Sequence, residues 1–407
     1  MDTSQQLISA IAQIGKVNTS HPSFREIEAF DHYLKSDGSL DYANLDERDG
    51  GCTRREVLLR FLLLSAVIDQ GPDIVGVRKL LVGVTNALYQ REIRFLHEPL
   101  AFFRELGIAV DEILKQHQTI KHLRSAIWGE ENQANAKKYN LFMDNSRQVL
   151  NYAVFRWGVP LTLPLLLERD CQNDEAKPTV LADYLESWPS AEEMSQQVKD
   201  NERFGLGKAI GDKACHLFAK WMVSSFRLAR RTDTAWGDFS FEVPYDSNAG
   251  RVLWRTGFFL KWASEGAYIK AQVVQPGQGK QGLNYIRVTN IRGMSATQGL
   301  PDILQSRYID ISVKHLKTHK KQPHKVEIQR IQHAYLLEDF ANSGLAVADF
   351  DEGLIFIGTK YCFNHADPLC KVCPLNNVCE GHKSNHDLIS KYMSMCGHTD
   401  PPIVASY

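Results

Sequence analysis

Four cysteines crowd into one short stretch near the C-terminus, Cys362-FNHADPL-Cys370-KV-Cys373-PLNNV-Cys379, with gaps of seven, two and five residues. A segment this rich in thiols must loop so that its sulfurs can meet. Cys52, Cys171, Cys215 and Cys396 are scattered by comparison. In a long chain without secretory character, such clustering reads as metal ligation before disulfide bonding. Four thiolates satisfy either an iron-sulfur cubane or one tetrahedral zinc. Zinc sites commonly pair two Cys-x-x-Cys knuckles, and here Cys370 and Cys373 alone are that close, so the spacing leans toward iron-sulfur and leaves structural zinc open. With all positions filled by protein, the metal is structural rather than catalytic.

The rest of the chain is ordinary in bulk. It has 407 residues, 43% of them hydrophobic, enough for two or more domains with buried cores. Lys and Arg total 47 against 48 Asp and Glu, a formal net charge of −1, so any surface for a polyanion must be a local patch. The start, MDTSQQLISAIAQIGKVN, lacks a signal peptide's basic and apolar regions, and the strongest apolar run, Val57 to Ile68, is broken by Arg60. These features predict a soluble, cytoplasmic protein with no membrane partner.

Residues 1–50 are polar and mixed, ending in turn-forming SDGSLD and DERDGG, and read as an N-terminal appendage. From Thr53 to about Trp128 apolar residues recur at three- and four-residue spacing, the pattern of packed helices, and it continues to about Leu167. After the polar RDCQNDEAKPT stretch, helical patterning resumes up to Phe226. Between Tyr268 and Ile291, YIKAQVV and YIRVTNI flank a Gly-rich PGQGKQG turn, which predicts an inserted β-hairpin. Helices are expected again over HKVEIQRIQHAYLLEDFANSG and after the cysteine cluster.

Two further stretches bear on function. FEVPYDSNAGRVLWRTG, residues 241–257, places Asp246 after an extended Pro-containing segment and before a helix, where a carboxylate serves as N-cap. FGLGKAIGDKACHLFAKWM, residues 204–222, is a Gly-rich turn opening an amphipathic helix, so backbone N–H groups at its start can receive a phosphate.

The cysteine stretch GTKYCFNHADPLCKVCPLNNVC resembles the cluster loop of the endonuclease III family, with one extra residue in the first gap. Asp246, followed by Arg251, Val252 and Arg255, resembles the catalytic segment of the same helix-hairpin-helix DNA glycosylase superfamily. Ile210-Gly211-Asp212-Lys213-Ala214 is similar to the second half of its hairpin, with Ala209 where the first hairpin glycine would stand. The interval from Lys213 to Asp246 is closer to that of the archaeal 8-oxoguanine glycosylases, which also have a Gly-Asp-Lys segment. The LLLSAVIDQGPD segment is similar to the family's LLSAQATD, but Val67 takes the place of its gap-filling glutamine, moving that role to Gln70. Gln70 also reads as an ordinary turn residue.

The resemblance implies a mainly α, two-domain fold: a helical barrel over 51–245 with the hairpin near 204–222, and a second helical domain combining the N-terminal segment with 246–407. The second domain carries the β insert at 262–300 and the cluster loop at 362–379. It implies a DNA N-glycosylase that flips a damaged or modified base out of double-stranded DNA and cleaves its glycosidic bond, acting as a monomer. Asp246 would be catalytic, and Lys213, if it is the Schiff-base lysine, would add abasic-site lyase activity. A carboxylate beside the sugar stabilises oxocarbenium character or positions a water. Gly211, Arg251, Arg255 and Gln70 would contact DNA, and Cys362, Cys370, Cys373 and Cys379 would hold a 4Fe-4S cluster. The basic run HLKTHKKQPHK adds Lys320 and Lys321 as candidate phosphate contacts, or is simply a solvated loop. Excision of a modified phage base is a substrate variant of this reading. A non-catalytic iron-sulfur DNA-binding protein is the rival.

Overall fold

A computed structural model describes residues 3–69, 74–127, 147–170, 179–238, 243–244, 246–258, 273–276, 286–289, 331–332, 345–363 and 368–384. The chain is mainly helical and divides into two compact units, His21–Trp236 and the pair Met1–Ser20 with Gly237–Tyr407. Among the described residues no helix is long and apolar enough to cross a membrane.

The His21–Trp236 unit contains α2 (Arg54–Ile68), α3 (Ile74–Gln90), α4 (Pro99–Glu105), α5 (Val110–Gln116), α6 (Ile120–Ile127), α7 (Arg147–Asp170), α8 (Val180–Glu186), α9 (Ala191–Asp200) and α10 (Asp212–Lys220). A helix that is apolar all round must be enclosed. That is the case for α2, buried from Arg55 to Ile68 and packed against α3, α7, α8 and α10. It starts at Thr53, whose hydroxyl accepts the Glu56 N–H at 3.2 Å. The Glu56 carboxylate in turn accepts the Leu181 and Ala182 N–H groups, both at 3.0 Å, and pairs with Arg60 at 3.0 Å. The open N–H groups at the start of α8 are thus satisfied by a buried anion from another helix. Arg60 completes the set by reaching Glu168 of α7 at 2.9 Å.

The first fifty residues, expected as one appendage, are divided between the two units. Residues 21–50 belong to the helical unit because their aromatic side chains fill its core. Phe24 and Phe30 are 4% and 0% exposed and lie 5.9 and 5.4 Å from the Phe61 ring. A short ribbon of β1 (Arg48–Asp49) and β2 (Cys52–Thr53), paired antiparallel, leads into α2.

In the other unit α1 (Thr3–Val17) packs on α12 (Val347–Lys360), which also packs on α11 (Ser247–Arg255). Leu7, Ile8, Ile11, Ala12 and Gly15 form the buried stripe of α1, at helical spacing. Two glycines allow the close approach. A methyl on Gly15 would stand 1.8 Å from the Asp349 carbonyl, and one on Gly353 would stand 2.0 Å from that of Ile11. Ser20 then donates to buried Glu352 through its N–H at 2.7 Å and through its hydroxyl.

The expected hairpin is present as β3 (Val273–Pro276) and β4 (Ile286–Thr289), antiparallel with Val274 opposite Val288. A third strand, β5 (Ile331–Gln332), pairs parallel to β4. This corrects the helix expected over HKVEIQRIQHAYLLEDFANSG at those two positions. Ile331 is β-branched, a side chain that suits a strand. The remainder of that stretch lies outside the described residues. After the cysteines a single turn of helix, α13 (Glu380–Lys383), is described.

Candidate functional site

The cysteine loop begins where α12 ends. Tyr361 and Cys362 both return their N–H groups to the Ile357 carbonyl, at 3.0 and 2.8 Å, turning the chain off the helix axis. Leu369 N–H bonds to the Tyr361 carbonyl at 2.8 Å, a short 3-10 turn spans Cys370–Val372, and Cys379 N–H returns to Leu375 at 2.9 Å. Leu375, 1% exposed, anchors the loop. The result brings Cys362, Cys370, Cys373 and Cys379 to the wall of one cavity of about 40 Å³, roofed by Val252 and Ile357. That is room for a group of a few atoms, larger than one water.

Among the described residues no group of three or more His, Cys, Asp or Glu side chains is arranged to grip a single ion. The chemistry of the donor set suits a metal group nonetheless. Burial pushes the Cys370 thiol up, Cys373 to about 11 and Cys379 to about 12, so these thiols need a bound cation to lose their protons at neutral pH. Arg255 supplies positive charge beside the sulfurs, with Nη1 3.3 Å from Cys362 Sγ.

Arg251 and Arg255, expected to face DNA, are 4% and 6% exposed on the inner side of α11. Arg251 donates to the carbonyls of Cys362 and Gly358 and to Asn248 Oδ1 at 2.7 Å. Arg255 Nη1 donates to the Phe363 carbonyl at 2.9 Å. Both guanidiniums hold the cysteine loop. Their i, i+4 spacing places them on one helix face.

At the other end of α11, Asp246 is the N-cap. Its Oδ1 accepts the N–H groups of Asn248 at 2.8 Å and Ala249 at 3.0 Å, and its carbonyl accepts that of Gly250 at 2.9 Å. The carboxylate is part-exposed and oriented by the helix start. The nine-residue helix after it therefore has the candidate carboxylate as its N-cap and grips the cysteine loop with its far half.

The hairpin lies in the helical unit. α9 starts at Ser190, whose hydroxyl accepts the Glu193 N–H at 3.1 Å, and packs directly on α10. In the connecting turn Asn201 Oδ1 accepts the N–H groups of Arg203 and Phe204, at 3.0 and 2.9 Å. Gly205 is required here, since a methyl would meet the Lys199 and Asn201 carbonyls at 2.5 Å, and Gly207 has φ +55°. Ala209, in place of the family's first hairpin glycine, is fully buried. Gly211 is the N-cap of α10, exposed, with no side chain to cap the helix, and a methyl there would touch nothing within 4 Å. Lys213 is part-exposed on the first turn. Gln70, Lys320 and Lys321 lie outside the described residues.

Sequence reasoning did not single out the polar residues buried behind the hairpin. Asp69, 3% exposed at the end of α2, pairs with Arg78 at 3.0 Å, and Arg78 lies 5.9 Å from the Trp221 ring centroid. Asp69 Oδ1 and Trp221 Nε1 are buried without a hydrogen-bond partner among the described residues. Trp221 opens a five-residue π-helix, Trp221–Ser225, a rare geometry frequent at functional positions. An acidic residue beside a turn and a tryptophan after a helix are too common in sequence to mark such a site.

A second unpredicted network centres on Asp49. It accepts from the Tyr33 hydroxyl at 2.6 Å and from Arg94, with His32 and His97 ring nitrogens each 3.0 Å away. Burial raises the Asp49 carboxyl, but the hydrogen bonds from Tyr33, Arg94 and His97 outweigh it and hold the group well below the usual carboxylate range. Burial drives His97 down to about 4, against the pull of Asp49. His97 Nε2 lies 3.0 Å from Asp49 Oδ2 and 2.9 Å from Arg94 Nη2, and its Nδ1 lies 2.8 Å from the Tyr89 hydroxyl. The network ties residues 21–50 to α3 and the loop after it.

No family model, curated protein or solved structure matches this chain.

Proposed function

We propose that the chain is a DNA N-glycosylase of helix-hairpin-helix type, acting on double-stranded DNA that contains a damaged or modified base. The observation that carries this reading is α11, which has Asp246 as its N-cap and Arg251 and Arg255 gripping a four-cysteine loop. An uncapped helix start in a two-helix hairpin supports it further. The cysteines would hold a 4Fe-4S cluster, with structural zinc as the alternative. A closed thiolate shell supplies rigidity and leaves no position for substrate.

The residues divide the work as follows. The Gly211 end of α10 offers backbone N–H groups to a DNA phosphate. Flipping the target nucleotide costs a few kcal/mol, recovered from such backbone contacts and from the base pocket. The Asp246 carboxylate, beside the sugar, stabilises positive charge as the C–N bond breaks or orients an incoming water. Where Lys213 takes part, its amine bonds to the sugar carbon as the base leaves, and the resulting Schiff base permits strand cleavage by elimination. Arg251 and Arg255 position the loop and do not meet DNA.

The test is mass-spectrometric detection of free bases after incubating the protein and Asp246→Asn with damaged, unmodified and phage-modified DNA. Release by the natural protein alone supports the reading and names the base. Equal release by both removes Asp246 from the chemistry. Borohydride trapping that disappears in Lys213→Ala supports the lyase step, and base release without any trapped adduct marks a glycosylase alone. Metal analysis separates iron from zinc.

The second reading is a non-catalytic DNA-binding protein. It is favoured by the observation that the two N–H groups Asp246 receives already give its carboxylate a structural role. No base released from any of these DNAs would shift the conclusion to it.

A further inference from the structure

α6 is fastened to the hairpin turn by three hydrogen bonds. Ile120 N–H donates to the Arg203 carbonyl at 2.9 Å, Arg203 Nε to the Gln118 carbonyl at 3.3 Å, and Arg124 Nη1 to the Leu206 carbonyl at 3.4 Å. Arg124 also stands beside Gly207, where an added methyl would lie 3.6 Å from its Nη1. On the same short helix Ile120, Leu123 and Ile127 are buried, whereas Lys121 and His122 are exposed and Arg124 is part-exposed. Lys121 and Arg124, three residues apart, are neighbours on its surface.

Several arginines of the unit are paired instead. Arg54, Arg55, Arg60 and Arg78 each meet a carboxylate within 3.0 Å. Arg203 is held by Asp170 at 2.6 Å. Arg124 and Lys121 have no carboxylate within ion-pair distance among the described residues, although exposed Glu202 belongs to the same turn. A guanidinium taken partly out of water without a counter-charge carries a desolvation cost that an arriving anion relieves. Burial accordingly pushes the Arg124 pKa down, with no opposing anion.

We propose that α6 is a second element of the nucleic-acid surface, with Arg124 and Lys121 each receiving a backbone phosphate of duplex DNA next to the one received by the hairpin. The inference rests on the DNA-binding part of the function proposed above. It assigns to α6 a role in affinity and placement on the duplex, uniform across sequences, because phosphate contacts carry no base information.

The test uses the full chain and a fluorescein-labelled, unmodified 20-base-pair duplex, with affinity read by anisotropy between 50 and 200 mM salt. Each lost phosphate contact flattens the slope of log affinity against log salt by about 0.9, so the affinity lost across this range shrinks about 3.5-fold per contact. Arg124→Gln keeps an N–H for the Leu206 carbonyl, and Lys121→Gln changes an exposed side chain, so each should show that flattening and the double variant twice as much. Lys35→Gln, in an exposed turn elsewhere in the unit, should leave the slope unchanged. If Arg124→Gln loses helicity by circular dichroism, Lys121→Gln decides alone. A natural protein with steep salt dependence and unflattened α6 variants overturns the α6 surface while leaving DNA binding intact. The same flattening in Lys35→Gln reduces the effect to general charge and also overturns it. No salt-dependent binding by the natural protein overturns both readings.

Discussion

Asp246 shows how one carboxylate can have two separable jobs. Its Oδ1 caps α11, and an N-cap is worth about 1 kcal/mol. Asparagine caps nearly as well as aspartate, whereas alanine cannot cap at all. Thermal unfolding should therefore find Asp246→Asn close to the natural protein and Asp246→Ala lower by about 1–2 °C. Base release, in contrast, should be lost in both. If Asn and Ala destabilise equally, the cap is not what Oδ1 contributes; if Asn restores release, the charge is not what the reaction uses.

Among the elements, the pair of α1 and α12 has the least room for change. Their backbones meet at Gly15 and Gly353, where a methyl would fall 1.8 to 2.4 Å from opposing backbone atoms, and backbone cannot swing aside as a side chain can. Overpacking of this kind typically costs about 1–3 kcal/mol. Gly353→Ala should lower the denaturation midpoint accordingly. An unchanged midpoint would mean that these helices are not in contact through their glycines. The cysteine loop leans on α12 through its Ile357 carbonyl and on α11 through Arg251 and Arg255, so both helices must be in place before the four thiols share a cavity.

For the molecule as a whole, acid is the expected weakness. His97 is 9% exposed, neutral, and held at about 4 against an ordinary value of 6.5. A lowered folded pKa means that the unfolded chain binds the proton first, so this stabilisation is full above pH 6.5 and is lost as pH falls toward 4. At about 1.4 kcal/mol per pH unit the interval is worth about 3 kcal/mol. Asp49, also held low, adds a further loss below its own unfolded value. Urea titrations at pH 7 and pH 4.5 should show the drop, and His97→Gln should flatten it. A pH-independent midpoint would sink the assignment of a neutral His97.

Periodicity alone was enough to read the helical run after Thr53 and the β3–β4 hairpin, because three-to-four and two-residue spacings are properties of neighbours in sequence. Thiol spacing likewise marked the loop whose four cysteines line one cavity, and Asp246 was legible as a cap. Tertiary structure decided what local pattern cannot carry. Residues 1–50 read as an appendage, yet Phe24, Phe30 and Tyr33 are buried in the helical core. Arg251 and Arg255 read as cations for a phosphate, yet they face inward, since a charge in sequence does not say which side of its helix is covered. Arg124 drew no notice because its place beside the hairpin turn, with no carboxylate in ion-pair distance among the described residues, exists only in space. Each of these outcomes turns on long-range burial and pairing, which depend on contacts between residues far apart in the chain.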